Sequence, residues 1–133
     1  MTFTWLLLGL VLGGIFITFA KKWQGGERQS LAIGLVIAAI IYVGFAIFFG
    51  APPQWLFWET IGAIIYSAMA WLGWRRNPIW LAIGWGLHPL WDAGLHLAGD
   101  GATFAPEWYV LACISFDLLV AGYVLWQVRS GME

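Results

Sequence analysis

Residues 80–99, WLAIGWGLHPLWDAGLHLAG, are long and apolar enough to cross a bilayer, yet they carry both histidines of the chain, His88 and His96, with Asp92 between them. The three ionisable residues recur at every fourth position. On a helix that spacing drifts slowly along one face, so the stretch predicts an apolar helix with a polar stripe. Ionisable groups in hydrocarbon are costly, which marks the stripe as a candidate functional site rather than a lipid-facing surface.

The rest of the chain shares the apolar character of this stretch. Of its 133 residues, 62% are hydrophobic and 10% are charged. Soluble domains carry about 25% charged residues, so the composition calls for a lipid bilayer as solvent. A net charge of −1 excludes nucleic acid as a partner, because nothing would neutralise its phosphates. The single cysteine, Cys113, precludes an intrachain disulfide. Eleven tryptophans exceed what interfacial anchoring of a few helices requires.

Five apolar runs of about twenty residues, the length that spans a bilayer core, predict helices over about 3–20, 31–49, 55–74, 78–98 and 106–128. The fold class is therefore all-α: a polytopic membrane bundle of five transmembrane helices forming one domain, 1–133. The first run has no basic residues ahead of it and is long enough to span, so it reads as a helix rather than a cleaved leader. Within it, Gly9 and Gly13 form a small-xxx-small pair suited to close helix packing. Ser30 is placed to cap the second helix. Segments 50–53, 75–78 and 99–106 break the remaining runs with Gly, Pro and charge. All six basic residues, Lys21, Lys22, Arg28, Arg75, Arg76 and Arg129, fall in the first and third connectors or at the C-terminus. The excess of positive charge on the cytoplasmic side then places the N-terminus outside and the C-terminus inside a bacterial inner membrane.

At about 1.5 Å rise per residue, Glu59 and Asp92 lie roughly 7 to 9 Å in from the outer ends of their helices, and His88 and Asp117 roughly 15 Å in. His96 falls near the outer rim. Polar groups of three helices thus occupy matched depths, which predicts one outward-opening pocket holding Glu59, His88, Asp92 and Asp117. Tyr42, Tyr66, Tyr109 and Cys113 are expected in its wall. Pro89 cannot donate to the carbonyl of Trp85 and should bend the helix there.

Several chemistries fit such a pocket. His88 and Asp92 could chelate a divalent metal, zinc or iron, with Glu59 or Asp117 completing the set. His96 is a more distant ligand candidate, because about 12 Å of helix separates it from His88. Alternatively, buried Glu59, His88, Asp92 and Asp117 could act as acids and bases on a small lipophilic, terpenoid- or sterol-like ligand, with Trp58, Trp85 and Trp91 stabilising a carbocation. That would make the protein a membrane isomerase or cyclase. A proton or ion relay is a third reading. A structural one is that the polar groups staple helices together, in a homo-oligomer or as a subunit of a larger membrane complex.

Five short helices with buried His and Glu are similar in layout to sterol-isomerase-type membrane enzymes, by analogy alone. More specifically, Gly84, Trp85, His88, Trp91, Asp92 and His96 resemble the Gly-Trp-x-x-His-x-x-Trp-Asp-x-x-x-His signature on the penultimate helix of a small bacterial membrane family of unknown function. Asp117 is a weaker match. Members often carry a second His where this chain has Leu95. The resemblance implies that these residues act as a unit and implies no activity.

Overall fold

The structure, a computed structural model, describes residues 1–97 and 105–131. The expected loop around Asp100 lies largely outside the described residues. Within them the chain is all helix: α1 (Thr2–Lys21), α2 (Glu27–Phe48), α3 (Pro53–Arg75), α4 (Ile79–Asp92) and α5 (Glu107–Arg129). A π-helical turn, Ala93–Leu97, continues α4. By length and composition α1, α2, α3 and α5 can each cross a membrane. The α4 helix is shorter, 14 residues, and the π turn extends it by five.

Two elements depart from the expected boundaries. The second helix starts at Glu27, not after Ser30, and Ser30 is buried within it. Gly26, at φ 97°, turns the chain so that Glu27 sits in the first turn, where the helix dipole favours an acid. Its carboxylate also accepts a hydrogen bond from the Tyr123 hydroxyl. In the fourth helix, α-helical geometry runs through Pro89 to Asp92 and widens only afterwards, so the irregularity lies beyond the proline. A π turn carries an extra residue, so its angle per residue falls below the α value of about 100°. The wider turn brings His96 back toward the face of His88 and Asp92 instead of letting it drift away.

Helix packing places α4 against α5, α3 and α2, while α1 lies outside on α5. Gly9 makes the α1–α5 approach close: a Cβ there would lie 2.0 Å from both the Ala112 carbonyl oxygen and Ser115 Oγ. Ser115 Oγ donates to the Leu6 carbonyl at 2.7 Å. Gly13 also faces α5, whereas Gly14 faces open space. Between α3 and α4 the fit is similar, with Gly62 accommodating the Trp91 ring.

The helix ends that carry the basic residues are tied together. Arg28 donates through Nε and Nη2 to the Gly73 carbonyl at 3.1 and 2.8 Å, satisfying an acceptor near the C-terminus of α3. Lys21 Nζ lies over the Tyr123 ring, and the Gln127 side chain donates to the Tyr123 hydroxyl.

Burial is inverted relative to a water-soluble bundle. Leu90, Ile64 and Phe48 are 68%, 64% and 87% exposed, while Glu59, His88, Asp92, His96 and Asp117 are all at 2% or less. Apolar side chains outside and ionisable ones inside are stable only where the surroundings are hydrocarbon. The four long apolar helices and this inversion mark a membrane protein.

Gly9 and Gly14 give a matched test of packing in one helix. Gly9→Ala should lower stability by about 1–3 kcal/mol relative to Gly14→Ala, the cost of overpacking, read from thermal unfolding of the detergent-solubilised protein. Equal melting temperatures would count against the α1–α5 contact.

Candidate functional site

His88 and Asp92 are one turn apart on α4, and Asp117 meets them from α5. His88 Nδ1 lies 2.7 Å from Asp117 Oδ2, the length of a charge-assisted hydrogen bond with the ring N–H donating. The same nitrogen lies 3.5 Å from Asp92 Oδ2. One ligand atom of each residue falls within 4.8 Å of the others. Neither Asp92 oxygen receives a hydrogen bond, although the residue is fully buried. A carboxylate without a donor in apolar surroundings is among the costliest side-chain states a fold can contain.

A second pair lies toward the other end of α4. His96 Nε2 is 2.9 Å from Glu59 Oε1 of α3. His96, expected near the outer rim by helix rise, is buried there against α3. The π turn directs it inward, onto α3. Tyr42 of α2 stacks on the His96 ring, with centroids 4.3 Å apart and planes 5° apart. Tyr42 is also 5.9 Å from the His88 ring, so one aromatic side chain touches both histidine sites. Tyr66 of α3 meets His88 edge-on at 5.0 Å. Tyr109 stands edge-on to Tyr42, and Cys113 lies against both tyrosines.

The expected residues thus separate into three groups. His88, Asp92 and Asp117 form the cluster, walled by Tyr42, Tyr66, Tyr109 and Cys113. Glu59 and His96 form a pair of their own, and among the described residues the ligand-type atoms that gather within 4.8 Å are those of His88, Asp92 and Asp117. Of the tryptophans, Trp55 lies against the His96 ring, with centroids 6.3 Å apart, and Trp91 meets Tyr66 edge-on, whereas Trp58 and Trp85 lie apart from both sites. Trp85 is in the apolar core, its Nε1 donating to the Leu31 carbonyl at 3.2 Å, between Phe16 and Phe116. Trp58 is half exposed and shares with Trp91, Tyr66 and Gln54 a cleft of about 770 Å³ between α3 and α4. The Glu59–His96 contact is the feature that sequence reasoning missed. Its precursor, an acid on α3 at roughly the depth of the α4 stripe, was visible, but the π turn that completes it was not.

A family model matches residues 4–130. The chain belongs to the DUF6010 family, a family of unknown function. The match extends from α1 to the end of α5 and includes every residue of the two polar sites. A curated relative from Synechocystis, described as an uncharacterized transporter, is 31% identical over 117 residues, covering 71% of this chain and 35% of its own length. The chain thus spans about a third of that relative. No solved structure matches.

Double-mutant analysis can measure the second pair. Glu59→Gln and His96→Ala, alone and together, should give a coupling energy of about 0.5–2 kcal/mol in thermal stability, the range for polar contacts inside membrane bundles. Additive effects would remove the pair as an interaction.

Proposed function

We propose that the protein is a five-span membrane transport protein in which the His88–Asp92–Asp117 cluster is the intramembrane station for a passing cation. The observation that carries this reading is Asp92, a fully buried carboxylate whose oxygens receive no hydrogen bond. A group this costly is retained in hydrocarbon where a path for charge needs it. Structural stapling would instead favour a cluster in which each acid has its own donor. The relative described as a transporter supports the same class. In this reading α4 and its π turn form the fifth span, with irregular backbone confined to the side that faces the polar site. The N-terminus lies outside and the C-terminus in the cytoplasm of a bacterial inner membrane, in keeping with the grouping of basic residues. In this reading the bundle works as a homo-oligomer or as a subunit of a larger membrane complex.

An apolar cavity of about 460 Å³ between α1, α2 and α5 favours a second reading, the binding of a small lipophilic molecule. Phe16, Trp85, Tyr109, Cys113 and Phe116 line it, so an occupant would reach the aromatic wall of the polar site. A defined lipophilic molecule retained in native mass spectra would support this reading.

Transport is tested in liposomes containing the purified protein and indicator dyes for protons and divalent cations. Wild type should pass at least one of these, and Asp117→Asn should slow it roughly tenfold or more, the value of a lost hydrogen bond to a charged group. Liposomes no leakier than empty ones would end the transport reading. Reporter fusions at the C-terminus should be active for a cytoplasmic fluorescent protein and inactive for alkaline phosphatase. The reverse pattern would invert the orientation.

A further inference from the structure

We infer that the cation taken by His88, Asp92 and Asp117 is a divalent first-row transition metal ion. The inference rests on reading the cluster as a cation station, and deepens it by naming the ion class. Three features of the cluster point the same way.

The first is the donor count. Two carboxylates face a single ring nitrogen, His88 Nδ1, at 2.7 and 3.5 Å. That nitrogen can give its one proton to Asp117, which leaves Asp92 with none. An ion held between the three would be shared by all of them.

The second is spacing. Ligands about 2.1 Å from one ion stand roughly 3 to 4 Å apart, depending on the angle they subtend. The ligand atoms here lie within 4.8 Å of one another, so small side-chain adjustments bring all three onto one centre. The four-residue step from His88 to Asp92 is the chelating step of a helix. Asp117 adds the third ligand from the helix packed alongside.

The third is charge. A neutral imidazole and two carboxylates sum to −2, which a divalent ion cancels. A monovalent ion would leave a net charge in a site whose members are all 1% exposed or less, where an uncompensated charge is strongly disfavoured. Among divalent ions, Mg²⁺ and Ca²⁺ prefer oxygen alone, whereas an imidazole nitrogen with carboxylate oxygens suits Mn²⁺, Fe²⁺, Co²⁺ or Zn²⁺.

The test uses full-length protein in detergent, stripped with chelator and titrated with Co²⁺. Wild type should bind one equivalent, with visible absorption from the coordinated ion and a raised melting temperature that Mg²⁺ and Na⁺ at the same concentration do not produce. Asp92→Asn should weaken Co²⁺ binding roughly tenfold or more, while His96→Gln, outside the cluster, should bind as wild type does. Failure of wild type to bind Co²⁺ stoichiometrically would overturn the inference, as would Asp92→Asn binding unchanged or Mg²⁺ stabilising equally. The wild-type melting shift decides the matter even if a variant does not fold. Co²⁺ binding without flux in liposomes would leave the site and remove the transport reading. Proton flux without Co²⁺ binding would do the opposite.

Discussion

In hydrocarbon a carboxylate must find a partner inside the protein, and the arrangement of this bundle follows from that constraint. Among the described residues three acids are buried: Glu59 on α3, Asp92 on α4 and Asp117 on α5. Two histidines are present to meet them. His88 lies between the two aspartates and His96 against Glu59. Helices α3, α4 and α5 converge with these faces inward, and many of their apolar side chains, such as Ile64, Leu90 and Leu118, are left facing outward. Helix α1 contributes no ionisable side chain to the interior and packs outside, where small residues let it approach α5.

Around the polar interior the tyrosines do what tryptophan cannot. A phenol ring covers a histidine face or edge and still brings a hydroxyl into a polar region. Tyr42 and Tyr66 fill these positions, on His96 and His88. The indole rings are larger, with a single donor each; Trp55 reaches the His96 ring, and others serve elsewhere. Trp85 spends its N–H on a backbone carbonyl in the core, while Trp91 covers the small surface at Gly62.

Much of this is legible in the sequence because α-helices in lipid are regular. Hydropathy locates the helices to within a few residues, except where Gly26 and Glu27 begin α2 early through a backbone turn that hydropathy does not register. Constant rise also places His88 and Asp117 at one depth, and the structure brings them to 2.7 Å. What breaks that regularity is hidden. Apolar composition carries no signature of the π turn at Ala93–Leu97, so the inward position of His96 and its contact with Glu59 could not be read off. Nor could the separate locations of Trp58 and Trp85. Each lies on a helix whose surface is mostly apolar, and only neighbouring helices decide which apolar side is core.

The tie at the basic end bears on how the interior could ever be reached. Arg28 bonded to the Gly73 carbonyl, together with the Tyr123 contacts to Glu27, Lys21 and Gln127, links α1, α2, α3 and α5 where the chain is most polar. The Tyr42, Glu59 and His96 group lies toward the opposite end, where Tyr42 stacks on His96 and Glu59 meets His96 Nε2. Loosening that tie alone would not part the helices, because the Gly9 contact and the Ser115–Leu6 hydrogen bond hold α1 to α5 in the other half of the bundle. The bundle is fastened at the basic end and again along the opposite half, so its buried polar residues, 2% exposed or less, are enclosed rather than held at an open mouth.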